Sequence, residues 1–352
     1  MPIQSTIDDA GDEARILAVR PPAPAARLRE AFRRDLPAWY ARVRRDLPWR
    51  RTRDPYAIAV SEFMLQQTQV ATVIPYFERW LARFPTWQAL ADAPVEAVVK
   101  MWEGLGYYSR ARNLHRLARE VAGPLGGILP TEVEALRQLP GIGPYTAGAI
   151  ASLALGQRAS LLDGNVIRVF SRVFAVTEDV GLGATQKQLW AMAEGLLPEA
   201  ELCAGHNSSL MELGALVCTP TKPDCPACPL NTVCRARPDP EAFPRKAPKV
   251  VERVEEEVAV IARGGRYWCE PGPEKGRLAG FWRLPAFDPA TMERGAKVAD
   301  FLYSITRYRV HLTGWEATFR GQPPERGRWH TLAEMEALTM SSAQRRLRAA
   351  LK

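Results

Sequence analysis

Residues 139–148 read Leu139-Pro-Gly-Ile-Gly-Pro-Tyr-Thr-Ala-Gly148, with glycines at 141 and 143 leading directly into the Ala-rich stretch Tyr145 to Leu155. Two glycines within three residues suit a sharp reversal of the chain, and the helix formers that follow place the reversal at a helix N-terminus. Such a turn exposes backbone N–H groups that, with the helix dipole, suit an anion such as a DNA phosphate. The contact would touch no base edge and would be indifferent to sequence. By itself the stretch also fits a plain helical hairpin.

Outward from this turn, apolar residues recur at helical spacing, as in Val70, Val73, Ile74, Phe77 and Leu81, and again in Leu114, Leu117 and Val121. From about residue 27 to about residue 217 the chain reads as short helices packed on one another, with no β-rich interval. Breaks fall at Gly104 and Gly106, Gly123 to Gly127, Pro140 to Pro144 and Asp163-Gly164. Residues 1–26 lack a sustained apolar period and read as a mobile leader. Prolines 238, 240, 244 and 248, with Arg245, Lys246 and Lys249, make a stiff basic connector. Beyond it, Val258 to Ile261, Tyr267 to Cys269, Phe281 to Leu284 and the alternation Trp315, Ala317, Phe319 predict strands. Lys297 to Ile305 and Leu332 to Leu351 predict helices. The fold class is therefore multidomain, an all-α region followed by a smaller α+β domain.

The chain of 352 residues is 47% hydrophobic and 24% charged, enough to bury a sizeable core and unlike a disordered chain. No apolar run approaches the ~20 residues of a membrane span. The first residues carry Asp8, Asp9, Asp12 and Glu13 where a signal peptide would be basic and then apolar. Secretion and membrane insertion are disfavoured, and a cytoplasmic protein is expected. The net charge of +8 is uneven: residues 27–54 hold ten arginines against four acids, a local +6. With Leu28, Phe32, Leu36, Trp39 and Val43 on the apolar side, these arginines read either as a solvated face or as a phosphate-facing stripe.

Cys218, Cys225, Cys228 and Cys234 follow a C-x6-C-x2-C-x5-C spacing, while Cys203 and Cys269 stand apart and read as small buried hydrophobes. Four thiols so close call for a metal. Structural zinc commonly uses two short pairs across a longer loop, whereas one CxxC with two wider gaps lets a single loop wrap a larger [4Fe-4S] core. Spacing favours iron and sulfur only slightly, and disulfides are disfavoured without an export signal.

Two carboxylates stand out. In Leu161-Leu-Asp-Gly-Asn-Val166, Asp163 is placed to cap a helix beginning near Val166, where free N–H groups and the dipole would keep it ionised. In Ser61-Glu-Phe-Met-Leu-Gln-Gln-Thr-Gln69 the expected helix opens at Ser61, with Glu62 in its first turn and Glu62, Gln66 and Gln69 on one face. The plain readings are a cap for Asp163 and a dipole-complementing acid for Glu62.

These segments in this order resemble the helix-hairpin-helix DNA glycosylases with an iron–sulfur loop, and within them the MutY-type adenine DNA glycosylases. The likeness runs through LPWR (47–50), SEFMLQQTQVATVIPYFERW (61–80), GLGYYSRARNLH (104–115), LPGIGPYTAGAI (139–150), LDGNVIRV (162–169) and the four cysteines, covering about residues 27–234. It implies an N-terminal helix (27–56) joining an iron–sulfur domain (161–234), a six-helix barrel domain with the hairpin (57–160), a linker (235–253) and a Nudix-like domain (254–352). It implies a [4Fe-4S] cluster on Cys218, Cys225, Cys228 and Cys234, and a nucleotide flipped out of duplex DNA for excision. The expected substrate is adenine opposite 8-oxoguanine or guanine, removed in base excision repair by a monomer, nucleoid-associated if bacterial.

Adenine leaves readily only when protonated, and the sugar left behind develops positive charge. Glu62, its pKa raised by apolar surroundings, is the expected acid, and Asp163 the anion that stabilises the cation or attacks C1′, with Tyr145 and Asn165 orienting these groups. The endonuclease III type carries a lysine where this chain has Tyr145, so no Schiff base and no strand nick are expected. The resemblance assigns Gln67 and Tyr107 to the base stack, Gly141 and Gly143 to the phosphate turn, and Arg45, Trp49 and Arg50 to the adenine pocket and strand grip. The arginine-rich helix then reads as phosphate-facing. The final domain matches mainly at Gly276 to Pro285 and lacks the acidic cluster that binds magnesium in Nudix hydrolases. Where relatives read the opposite base with Phe-Ser-His, this chain has Arg307, Tyr308 and Arg309; Ser208 replaces a Gln or Glu near the adenine. A lyase of the endonuclease III type and a mismatch binder with a vestigial site are the competing readings.

Overall fold

The computed structural model describes residues 23–248, 250–273, 280–305 and 307–351. The leader up to residue 22, Lys249 of the connector and Gly276 to Ala279 of the Nudix-like match lie outside the described residues. The chain divides into two units: residues up to Asp46 with Pro144–Ala247, and Leu47–Gly143 with the residues from Pro248 onward.

In the first unit a helical run begins at Ala25–Glu30, widens through a π turn at Ala31–Asp35 and continues as Leu36–Val43. Pro37, inside this run, has no N–H to offer the preceding turn, and the wider turn relieves that mismatch. Phe32, Leu36 and Trp39 point inward, joining Leu161, Val166, Phe170, Leu213 and Leu230 in one core. Phe32 meets Phe170 edge to face at 6.1 Å. Helix Pro144–Ala149 with a π turn at Ile150–Ala154, and helices Gly164–Phe174, Gly183–Leu196 and Ala200–Leu216, belong to the same unit, with the cysteine loop following the last of them.

In the second unit six helices occupy 47–143: Pro55–Leu65, Val70–Arg83, Trp87–Ala91, Val95–Met101, Ser109–Ala122 and Val133–Leu136. Their core closes around Trp80 and Trp102, both fully buried and crossed edge to face at 5.4 Å. The Trp80 indole N–H donates to the Tyr56 hydroxyl at 3.2 Å, which donates to the Phe84 carbonyl at 2.6 Å, so the polar ends of these two aromatics are satisfied.

The same unit carries strands β1 (Glu252–Val260), β2 (Ala262–Arg263), β3 (Arg266–Pro271), β4 (Trp282–Arg283), β5 (Met292–Ile305), β6 (Tyr308–Phe319) and β7 (Arg328–His330). β6 lies between parallel β1 and antiparallel β5, while β3 lies between β2 and β4 and also pairs with β7. Helices Leu332–Ala337 and Ser342–Ala349 follow, as expected for 332–351. The expectation for 297–305 is corrected: this stretch is the second half of β5, not a helix. Phe301 is buried, Leu302 exposed, Tyr303 half-buried and Ser304 exposed, a period of two. Register shifts between Arg294 and Ala299 break the alternation just upstream, where it would have been read. This region docks on the helices through Lys100, which donates to the Glu336 and Leu338 carbonyls, and through Phe281 against Tyr108 at 4.5 Å.

Candidate active site

Asp163 is the N-cap of the Gly164–Phe174 helix, which starts two residues earlier than expected. Its Oδ1 accepts from the Val166 N–H at 2.7 Å and its Oδ2 from the Asn165 amide at 2.8 Å. Arg168 donates to Asn165 Oδ1 at 2.8 Å, to the Gly214 carbonyl at 2.7 Å and to the Cys218 carbonyl at 2.7 Å. The capping turn is thereby tied to the end of the Ala200–Leu216 helix and to the first cysteine. Two glycines allow the close approach. A Cβ on Gly214 would lie 2.5 Å from that of Asn165, and one on Gly148 would lie 1.9 Å from the Ser160 carbonyl oxygen. Contrary to the expectation of a carboxylate held ionised by its cap, burial pushes the Asp163 carboxyl above its ordinary range. Hydrogen bonds from Val166 and Asn165 and the Arg168 charge oppose that shift without cancelling it.

The Ala200–Leu216 helix presents Ser208, Met211 and Glu212 on one face. The Tyr145 hydroxyl donates to Met211 Sδ at 3.7 Å. Glu212, fully buried, takes both the Arg45 guanidinium, at 2.6 and 3.1 Å, and the Arg45 backbone N–H at 2.8 Å. A bidentate pair of this kind fixes an arginine in one place. The phosphate-facing reading of the arginine-rich helix is narrowed accordingly. Arg27 and Arg34 pair with Glu30 and Asp35 and Arg45 with Glu212, while Arg29, Arg33, Arg42 and Arg44 are exposed.

Glu62 belongs to the second unit. The helix around it is Pro55–Leu65, capped by Asp54, so Glu62 lies in the last turn and not the first, and Gln66 and Gln69 lie beyond the helix end. Pro55 at the first helical position and Asp54 before it are the N-terminal signals, and they outrank Ser61. A dipole-complementing role for Glu62 is thus overturned: an acid near a helix C-terminus is disfavoured by the dipole. Yet Glu62 is only 3% exposed, among buried Ile58, Phe63 and Met64.

Beyond the helix end, Gln67 is exposed and holds a left-handed backbone, φ 57°, as does Tyr107, φ 47° and 45% exposed. A side chain in that region costs on the order of 1–2 kcal/mol. Trp49 is buried against Phe77 at 5.4 Å, and Arg50 is half-buried. In the hairpin Gly141 has φ 77°, and a Cβ there would lie 2.6 Å from that of Asn113. Gly143 is exposed next to the Pro144–Ala149 helix that follows it. Arg307 and Tyr308 sit where β5 turns into β6, Ile305 pairing with Tyr308. Arg307 donates to the Tyr308 hydroxyl at 3.0 Å and pairs with Glu252 at 2.8 Å, and Arg309 is exposed.

Against this geometry stand the likenesses to known proteins. A family model described as HhH-GPD superfamily base excision DNA repair protein matches residues 60–194. The adenine DNA glycosylase of Homo sapiens is 41% identical over 313 residues, taking in 73% of this chain and 57% of that protein. That of Buchnera aphidicola subsp. Schizaphis graminum is 32% identical over 291 residues, taking in 78% of this chain and 84% of the relative. The chain belongs to the adenine DNA glycosylase family. Among solved structures, a thermostable thymine-DNA glycosylase aligns at 31% identity and a TM-score of 0.55, over 60% of this chain and 98% of that one. An endonuclease III bound to DNA aligns at 22% identity and 0.52, a likeness of fold. The chain spans about half the length of several curated relatives it matches, 57% for the human protein, 42% for the rat and 52% for Arabidopsis thaliana.

In this member of the adenine DNA glycosylase family, the four cysteines line one cavity with Val169, Arg172 and Leu230. Burial pushes the Cys228 thiol up to about 12 and Cys234 to about 11. Arg172, 1% exposed, donates to Cys218 Sγ at 3.3 Å and to the carbonyls of Thr219, Pro220 and Pro240. Among the described residues no three His, Cys, Asp or Glu side chains are gathered as one metal ion requires. Sequence reasoning missed Arg110, Arg168, Arg172 and Glu212. Arginines inside otherwise apolar helical periods were the available signal, since a charge on a buried face needs partners.

Proposed function

We propose that this protein is a monofunctional glycosylase that hydrolyses the N-glycosidic bond of adenine opposite 8-oxoguanine or guanine in duplex DNA. One observation carries the reading more than any other: Asp163, held by the Val166 N–H and the Asn165 amide, in a chain whose other candidate, Glu62, is buried. Asp163 accepts hydrogen bonds on both carboxylate oxygens, which leaves the acid's part to Glu62. Glu62 gives its proton to the adenine ring, which leaves as a neutral base. Asp163 faces the cation that develops on the sugar, stabilising it or bonding to C1′ before water completes the hydrolysis. Asn165 fixes Asp163. Tyr145 offers a hydroxyl and no amine, so no Schiff base forms and the product is an intact strand with an abasic site.

Gln67 and Tyr107 enter the base stack, Gly141 and Gly143 present N–H groups to a phosphate, and Arg45, Trp49 and Arg50 shape the adenine pocket. Arg307, Tyr308 and Arg309 at the β5–β6 turn read the opposite base, an aromatic between two cations being suited to stacking and hydrogen bonding. Four thiols on one cavity, bordered by the buried Arg172 cation, fit a [4Fe-4S] cluster held by Cys218, Cys225, Cys228 and Cys234. Bound, it would supply thiolate–metal bonds that tie the four cysteines of this loop to one another, while hydrogen bonds from Arg168 and Arg172 hold the loop to the Gly164–Phe174 helix. Residues 161–234 act as the iron–sulfur domain and 254–352 as a Nudix-like reader without hydrolase activity. The protein acts as a monomer where the DNA is, in the cytoplasm and at the nucleoid of a bacterial host. Among the described residues no helix is long and apolar enough to cross a membrane. An alkali-dependence assay on an adenine:8-oxoguanine duplex tests the reading: strand breaks only after hot alkali support it, and spontaneous nicking favours the lyase alternative.

A further inference from the structure

Gln67 and Tyr107 are the two residues other than glycine among the described residues of the second unit with a left-handed backbone, and they stand on separate loops. Both loops close on one side chain. Arg110, in the Ser109–Ala122 helix and 6% exposed, turns its guanidinium into the gap between them. Nη1 donates to the carbonyls of Phe63 at 3.0 Å, Met64 at 2.9 Å and Gln66, the orphan acceptors at the end of the Pro55–Leu65 helix. Nη2 donates to Thr68 Oγ1 at 3.1 Å and to the carbonyls of Leu105 at 2.9 Å and Gly106 at 3.1 Å. The group therefore grips residues on both sides of Gln67 and those immediately before Tyr107. It also lies 5.6 Å from the Tyr107 ring and 5.2 Å from that of Trp102. A planar, permanently charged fork serves six acceptors on two loops; a lysine ammonium has three hydrogens and no fixed plane.

We infer that Arg110 is a positioning residue that locks Gln67 and Tyr107 into a single preformed two-pronged wedge, so that both enter the DNA base stack together. The inference rests on the reading of Gln67 and Tyr107 as stack-entering residues, and the test separates the two. The full chain is titrated into a duplex carrying 2-aminopurine beside the mispaired adenine, a base that brightens when unstacked. Affinity for an undamaged duplex is measured in parallel as a report of folding and phosphate contact. Gln67→Ala and Tyr107→Ala are each expected to dim the signal; if neither does, the stack-entry reading falls. Arg110→Lys is expected to dim it about five-fold at saturation, with undamaged-duplex affinity within about two-fold of wild type. Dimming by the Gln67 and Tyr107 variants with full signal from Arg110→Lys overturns the inference alone. Should Arg110→Lys lose its cooperative melt, Thr68→Val decides, because it removes one acceptor beside Gln67 and leaves the guanidinium in place. A drop of about two-fold is expected from it, and an undiminished signal overturns the inference.

Discussion

At position 214 the chain needs a residue without a Cβ, because that atom would lie 2.5 Å from Asn165 Cβ and 3.0 Å from Asn165 Cα. Gly214→Ala is expected to lower unfolding free energy by about 1–3 kcal/mol and, by displacing the Asp163 turn, to slow single-turnover excision by about ten- to a hundred-fold. Denaturant unfolding and quenched-flow kinetics check the two halves. Asp163 supplies a pH signature. Its carboxyl is raised above its ordinary value, burial being the first cause, so in the window between the ordinary and raised values the folded state holds the proton more tightly than the unfolded one. Its contribution to stability is therefore full at the acid end of that window and falls as pH rises through it. In the proposed mechanism activity runs the other way, since ionised Asp163 is the working form there. The acid limb of the single-turnover rate is expected above the usual carboxylate range, and Asn165→Ala, which deletes a hydrogen-bond donor to the carboxylate, should move it to higher pH. An unmoved limb would assign it to another group. The Asp163 cap was legible in Asp-Gly-Asn, because a cap depends on adjacent residues. The shift was not, because it arises from burial by residues far along the chain.

Among the elements, the Pro55–Leu65 helix shows how far local signals reach. The run SEFMLQQTQ was legible as important, but its start was misplaced by six residues since Ser61 imitates a cap that Asp54 supplies, accepting from the Tyr56 and Ala57 N–H groups. The consequence is that Glu62 sits in the last helical turn, where only tertiary packing explains it. In the three-stranded sheet, His311 on β6 lies between Asp300 on β5, at 2.6 Å, and Glu255 on β1, at 2.8 Å. The hydrogen bond to Asp300 and the nearby Glu255 charge raise the imidazole above its ordinary 6.5. The stability it contributes is complete below the ordinary value and is lost as pH rises through the raised one. The His311 resonance followed by NMR should titrate above 6.5, and Asp300→Asn should bring it back toward that value. The cysteine loop is tested as a unit: purified protein is expected to be brown, absorbing near about 400 nm, and Cys228→Ser to lose that colour and lower the melting temperature. A colourless, zinc-loaded, folded protein would replace the cluster.

Over the whole molecule, Glu62 and Asp163 belong to different units of the chain, the first in Leu47–Gly143 and the second in Pro144–Ala247. Neither composition nor periodicity brings them to one substrate; the resemblance of motifs does, and the proposed chemistry requires it. Exposed Arg29, Arg33, Arg42 and Arg44 give the first unit a basic surface. Binding to undamaged duplex is expected to weaken with salt, and Arg42→Ala with Arg44→Ala to reduce the log–log slope by about 2. A flat salt response would remove phosphate from the account. The central claim, an acid and an anion acting together on one adenine nucleotide, is tested most directly by single-turnover cleavage of an adenine:8-oxoguanine duplex, with and without hot alkali, by wild type, Glu62→Gln and Asp163→Asn. The account predicts breaks only after alkali for wild type, and rates at least about a thousand-fold lower for each variant with duplex binding retained. Breaks without alkali, or a variant working at the wild-type rate, would contradict it.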